Sequence, residues 1–440
     1  MAGKTNEPMR GKLNIFQRTM LQWNGLYPYN AVHVVRVPQP LEMNRLRFMI
    51  NSEMEQFGLT GFSLDKRKGA FQYQGGPVQN EIRMIPVDQG PQSALQKEME
   101  AQLNAPFRDH GDIHPFRFFV IQEEGAFYLG LTYFHVVAGA ESIILLLKHF
   151  VNKYMGQEPP GFRIPLDVYP KGYGALMPRS PQLVLQKFSS VPSMVRILRR
   201  SSRLPFHDFR DQSNGISVFS LSSDELQKLL RVGKHWRVTL NDLFLALLLQ
   251  SLSPFALKRF SASRRRQMTV GSIVNIRRDL GIDSLKTFGL FLGSFVVSHC
   301  VPEGISTEQL SREIQQQTLK IKEERLYLAT PVELWVGRLL LSCQSPEHQK
   351  SFFPKYYPLW GGITNMNLNP LWEQHDATRP IDYFRAVSTG PITPLVLSVT
   401  TVGDVVNIGL TFKKTVFSLS EIERLISDFR NAINHLEVRP

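Results

Sequence analysis

With only two cysteines in 440 residues, Cys300 and Cys343, the chain has no disulfide framework and no cysteine-built metal cluster. Acidic residues are also short. The 38 Asp and Glu face 51 Lys and Arg, a formal net charge of +13, so the surface suits anionic partners. No apolar run reaches the length of a membrane span; the longest, Leu243 to Leu252, already contains Gln250. The opening MAGKTNEPMRGKLNIFQ lacks a charged segment followed by an apolar core, so no secretory signal is expected and the chain reads as cytoplasmic. Zinc-finger spacing, RNA-binding aromatic motifs and repeats of solenoid period are all missing, and nucleic acid is not an expected partner. His33, His110, His114 and His299 have no metal-ligand spacing, so neither a metal nor a bound cofactor is expected.

What is present is the patterning of a mixed helix-and-strand protein with enough material for two domains. In the first part, strands are expected at Ala31 to Val37, Phe116 to Gln122 and Ala126 to Phe134, the last two as a hairpin. Helices are expected at Asn14 to Trp23, Leu41 to Phe57 and Ser93 to Leu103. From Gly156 the texture changes. Pro159, Pro160, Pro165, Pro170, Pro178 and Pro181 interrupt any periodicity, which marks a linker. The expected division is therefore 1–155, a linker and basic segment over 156–212, and 213–440. The later part opens with a strand at Ile216 to Leu221. It continues with TLNDLFLALLLQSL, Thr239 to Leu252, which is apolar on nearly every side and reads as a buried helix. Strands at Tyr383 to Val387, Leu395 to Val402 and Val405 to Phe412 precede a last helix expected to be capped by Ser420 with Glu423 three residues on.

Chemistry centres on FYLGLTYFHVVAGAESIILLLKHFVNKY, Phe127 to Tyr154. A buried strand gives way there to an amphipathic helix, and His135 stands at the junction. Held by rigid elements yet able to face a cleft, a neutral imidazole is suited to general-base work. A histidine at a strand end is equally readable as a hydrogen-bonded structural residue. Two basic clusters, Arg196, Arg199, Arg200 and Arg203, then Lys258, Arg259, Arg264, Arg265 and Arg266, read as solvated faces or as an anion-docking surface.

Six short stretches, taken in order, resemble the chloramphenicol acetyltransferase-like acyltransferases, which include peptide-synthetase condensation domains and wax ester synthases. FHVVAGA, Phe134 to Ala140, stands where that superfamily carries HHxxxDG. LNAPFRDHGDIHPFRFFV (Leu103 to Val120), the buried Thr239 to Leu252 segment, VNIR (Val274 to Arg277), Phe288 to Pro302 with Gly293, and Thr364 to Leu368 followed by Gly390 to Phe412 match in turn. The resemblance covers essentially the whole chain. It implies an α/β sandwich of two similar subdomains meeting in a V-shaped pseudo-dimer with a central tunnel. His135 would be the general base that deprotonates a hydroxyl or amine acceptor as it attacks a thioester donor on a carrier protein or coenzyme A.

The departures from the pattern carry their own expectations. Phe134 replaces the first signature histidine, Gly139 the aspartate and Ala140 the glycine. In the superfamily the aspartate pairs with an arginine at the position of Arg277, so here Arg277 needs another acid, Glu141 or Asp279, or solvent. Ser294 and Asn365 are the candidates for holding an oxyanion, and Arg264, Arg265 and Arg266 for docking the donor. Two functions follow: an acyltransferase, using a separate carrier protein or, at the inner face of a membrane, coenzyme A and a lipid acceptor; or a non-catalytic binding protein that kept the fold after losing the aspartate.

Overall fold

The computed structural model describes residues 8–158, 161–169, 192, 195–211, 213–372 and 382–437. It divides into two compact units: Met1–Arg179 with Asn275–Leu292 and Leu368–Ser388, and Ser180–Val274 with Gly293–Asn367 and Thr389–Pro440. Two stretches from the later part of the chain thus belong to the first unit, a correction to a simple division at residue 213. Backbone pairing is the reason. Tyr383–Val387 completes the first sheet by running antiparallel to Asn30–Val37, and Thr287–Phe288 pairs with Asp167–Val168. Of the prolines read as a linker, Pro159, Pro160, Pro170, Pro178 and Pro181 lie outside the described residues, as does much of 156–212.

The first unit is built on a five-stranded sheet ordered Tyr383–Val387, Asn30–Val37, Ala126–Phe134, Phe116–Glu123, Ile82–Ile85. Its centre is the expected hairpin, closed at Glu123 opposite Ala126. Every residue of Ala126–Phe134 is buried, which is why the strand reads as a continuous apolar run rather than an alternation. Gly130 stands opposite Phe119, and a Cβ there would lie 2.1 Å from the Phe119 ring, so the aromatic occupies the space the glycine leaves. The helix Ala140–Tyr154 follows, with Ile143, Ile144, Leu147, Phe150, Val151 and Tyr154 buried as their spacing requires.

The second unit is built on a six-stranded sheet ordered Asn214–Leu221, Val405–Lys413, Leu395–Val402, Gly361–Asn367, Met268–Asn275, Leu292–His299. Against one face lies the helix Leu240–Leu252, whose leucines pack on Leu395, Leu397, Val399, Ile408 and Leu410. Each such leucine contributes about 1.5–3 kcal/mol by leaving water. Thr239 caps the helix and Asp242 closes the capping box; the other carboxylate oxygen of Asp242 accepts from Thr318 Oγ1 at 2.6 Å, so the fully buried acid is satisfied on both sides. A 3-10 segment, Ser253–Arg259, prolongs this helix. Leu240–Arg259 is the one stretch among the described residues long and apolar enough to cross a membrane, longer than the sequence run alone, but 61% of its most apolar window is buried in the protein, as a core helix is. The C-terminal helix starts earlier than expected. Ser418 rather than Ser420 is its cap, because Glu421 closes that box while Ile422, Leu425, Phe429 and Ile433 set the buried phase.

Candidate active site

The segment from His135 to Gly139 joins the central strand to its helix, and its backbone is held at nearly every polar group. His135 N–H donates to Tyr29 O, Val137 N–H to Phe134 O and Gly139 N–H to Gly289 O. Val136 O accepts from Gln17 Nε2 at 3.0 Å, and Tyr169 Oη donates to Val137 O. Gln17 does two jobs: its Oε1 also closes the capping box with Asn14. Ala138 O accepts from His135 itself, whose Nδ1 lies 2.9 Å away.

That last bond fixes the chemistry of the ring. A carbonyl can only accept, so Nδ1 carries the hydrogen and Nε2 keeps its lone pair as the basic nitrogen. No hydrogen bond to Nε2 is found among the described residues. Tyr29 stacks on the ring at 5.5 Å and 13°, while Tyr133 meets it edge-on at 5.6 Å, so the imidazole is oriented by packing as well as by its bond. His135 is 8% exposed, and burial pushes its pKa down from 6.5 to about 4, partly offset by the Ala138 bond. At neutral pH the ring is uncharged, and burial makes it a weaker base than a free imidazole.

Beside it, one face of the sheet gathers polar residues. The register puts His33, Tyr133, Tyr383 and Arg385 on the same side. His33 Nδ1 is 2.9 Å from Tyr383 Oη, and Tyr133 Oη is 3.4 Å from His33 Nε2. Burial, then the charge of Arg385, then His135 hold His33 well below its ordinary range.

Arg277 finds its partners within the first unit. It is buried, and its Nη2 donates to Ser142 Oγ at 2.6 Å, its Nη1 to Thr287 O at 3.1 Å, and its face lies over the Phe291 ring. Of the two acids expected, Glu141 is the one within reach, with Oε2 3.9 Å from Nε. Ser142 does the positional work of an acid: its hydroxyl also accepts from Gly289 N–H and donates to Gly289 O. Gly289 can only be glycine. It takes φ +154°, and a Cβ would lie 2.4 Å from the Tyr169 ring. Gly139, by contrast, is an extended N-cap with room, since an added Cβ would find neighbours no nearer than 3.7 Å. Ala140 is the first residue of the helix, and Phe134 is core, stacked on Phe107.

His135, Phe134, Gly139, Ala140 and Arg277 thus belong to the first unit; Ser294, Asn365 and the arginines 264–266 belong to the second. Ser294 is tied to Thr330, whose Oγ1 takes the Ser294 N–H at 2.7 Å and lies 3.3 Å from its hydroxyl. Asn365 Oδ1 is buried without a partner among the described residues. Arg265 is structural, donating to Ser201 O at 2.9 Å, whereas Arg264 and Arg266 are exposed. The supporting residues Tyr29, Gln17, Ser142, Tyr169 and Gly289 were not legible in the sequence; only the Asn14–Gln17 capping-box spacing hinted at one of them.

No family model matches the chain. A plipastatin synthase component of Bacillus subtilis (strain 168) is 25% identical over 206 residues, covering 44% of this chain but only 8% of that protein. Solved structures align over nearly the full length. The EpoB cyclization–docking bidomain of the nonribosomal peptide synthetase from Sorangium cellulosum superposes with a TM-score of 0.71 at 14% identity, over 98% of this chain and 85% of that one. The first condensation domain of the calcium-dependent antibiotic synthetase, solved with a substrate analogue, gives 0.68 at 14%, over 97% and 96%. The epimerization domain from the third module of tyrocidine synthetase B gives 0.64 at 12%, over 98% of each. The chain carries the chloramphenicol acetyltransferase-like fold of peptide-synthetase condensation, cyclization and epimerization domains.

Proposed function

We propose that this protein is a condensation-type acyltransferase in which His135 is the general base. Nε2 takes the proton from an acceptor hydroxyl or amine as its oxygen or nitrogen attacks the thioester carbonyl. The carbon–sulfur bond breaks as the tetrahedral intermediate collapses, and the proton passes to the leaving thiolate. The carrying observation is the Nδ1–Ala138 bond, which commits the ring to the tautomer with a basic Nε2 that has no partner among the described residues. Likeness to peptide-synthetase domains favours a carrier-protein thioester as donor over coenzyme A. The missing aspartate does not unseat Arg277, because Ser142, Thr287 and Glu141 hold it instead.

The test is thioester turnover by the wild-type protein and by His135→Ala, with mass-spectrometric detection of acylated product. The variant is expected to lose a factor of about 10²–10⁴. The acid limb of the rate profile is expected near pH 4 rather than 6.5. Equal rates would leave the second reading, a binding protein on the same fold, which the replacement of the signature aspartate by Gly139 favours.

A further inference from the structure

The two basic clusters, some sixty residues apart in sequence, form one surface of the second unit. Gln267 N–H donates to Arg200 O at 3.1 Å, Ser202 N–H to Gln267 O at 2.7 Å, and Arg265 to Ser201 O, so 195–202 and 265–267 run side by side. Neither 195–207 nor 253–278 contains an Asp or Glu. Arg196, Arg199, Arg200, Lys258, Arg264 and Arg266 are all exposed there.

Large apolar side chains stand among these cations. Leu257 is 65% and Phe260 47% exposed. Their exposure is enforced, because Arg259, between them, is buried, as is Ala256. Its guanidinium donates to Ser253 O, Ala256 O and Val301 O at 2.8–3.0 Å, and to Cys300 O at 3.2 Å. A 3-10 segment that turns its arginine inward, onto four backbone carbonyls and the Ser253 hydroxyl, presents its leucine and phenylalanine to the outside, the phenylalanine ring lying against the guanidinium. A soluble polyanion gains nothing from those two side chains. A surface that is anionic at its face and apolar just beneath it uses both kinds of group.

We propose that this edge docks the protein on an anionic lipid surface, the arginines and Lys258 against headgroups and Leu257 and Phe260 entering the acyl boundary. This goes beyond the acyl-transfer reading and does not depend on it. The same arginines, expected from sequence to meet a donor, are assigned instead to the membrane.

Co-sedimentation of the full chain with phosphatidylcholine vesicles, with and without phosphatidylglycerol, tests it. Binding is expected only with the anionic lipid and is weakened by salt. Arg264→Ala/Arg266→Ala is expected to weaken it about fivefold for each cation lost. Leu257→Ser/Phe260→Ser is expected to weaken it about tenfold or more while leaving affinity for heparin unchanged. All four positions carry exposed or solvent-facing side chains, and an unchanged circular dichroism spectrum and melting midpoint verify the fold. His135→Ala is expected to bind vesicles as wild type does, which separates this surface from catalysis. Four outcomes would overturn the proposal. These are no binding to anionic vesicles, binding indifferent to the Leu257/Phe260 pair, self-association that this pair abolishes, or a loss of affinity for thioester donor in Arg264→Ala/Arg266→Ala with vesicle binding intact.

Discussion

The two sheets differ in the polar residues they bury. In the first unit, one face carries His33, Tyr133, Tyr383 and Arg385 and runs on to His135. In the second, the face opposite the buried helix carries Ser398, Thr400, Asn407 and Thr411, with Lys413 at the strand end as the one charged residue among them. Burial depresses proton affinity in both places: His135 to about 4, Arg385 to about 10, Lys413 to about 7. Titratable groups held neutral or strained toward neutrality cost stability, so their concentration around His135 is informative. In the first unit these groups gather beside His135; in the second, Lys413 ends a strand whose other face packs into the apolar core, with Asn407 Nδ2 and Thr411 Oγ1 buried without a partner among the described residues.

Four measurements can break or sharpen that contrast. Leu247→Ala, in the middle of the buried helix, is expected to cost about 2–5 kcal/mol in urea denaturation; a smaller loss would mean that the helix is not the close-packed centre of the second unit's core. Acid should act on the first unit. Because the folded pKa of His135 lies below the unfolded value of 6.5, the unfolded chain binds more protons between those values. Its contribution is therefore intact above pH 6.5 and lost as pH falls toward about 4, on the order of 3 kcal/mol, with His33 acting in the same direction. Denaturation midpoints across that range check this, and His135→Gln should flatten the slope. Arg277→Met, which removes the donors to Ser142 and Thr287 but leaves no charge behind, is expected to cost about 2 kcal/mol and to lower turnover by loosening the His135 segment. The smallest effect is expected from Gly139→Asp. An aspartate at this extended N-cap has room for its Cβ and should raise the melting midpoint by the equivalent of a few tenths of a kcal/mol.

Much of this fold is legible in the residues alone. Tyr383–Val387 and Leu395–Val402 occupy the expected residues, and the Phe116–Glu123 and Ala126–Phe134 hairpin differs by one. Runs of aromatic and β-branched residues between turn formers leave little freedom in that assignment. His135 is legible for the same reason: it breaks an otherwise apolar junction. The partners of His135 and Arg277 are not, because they come from elements far apart in sequence. Tyr29 precedes the first sheet strand, Gln17 lies on the first helix, and Thr287 and Gly289 lie about 150 residues beyond the signature helix. Residues that read as one basic run also separate in space, Arg259 inward, Arg265 bracing its neighbours, Arg264 and Arg266 outward.

The chain's own order of residues determined which segments are strands and helices, where the buried helix is capped, and that one histidine interrupts the central strand's apolar run, since these depend on spacing and local hydrogen bonding. Tertiary structure alone decided which nitrogen of His135 is basic, that a serine answers Arg277, and that a leucine and a phenylalanine stand in solvent among arginines. Each of those depends on which distant carbonyl, hydroxyl or ring reaches the side chain first, and only the packed chain brings such groups within hydrogen-bonding distance.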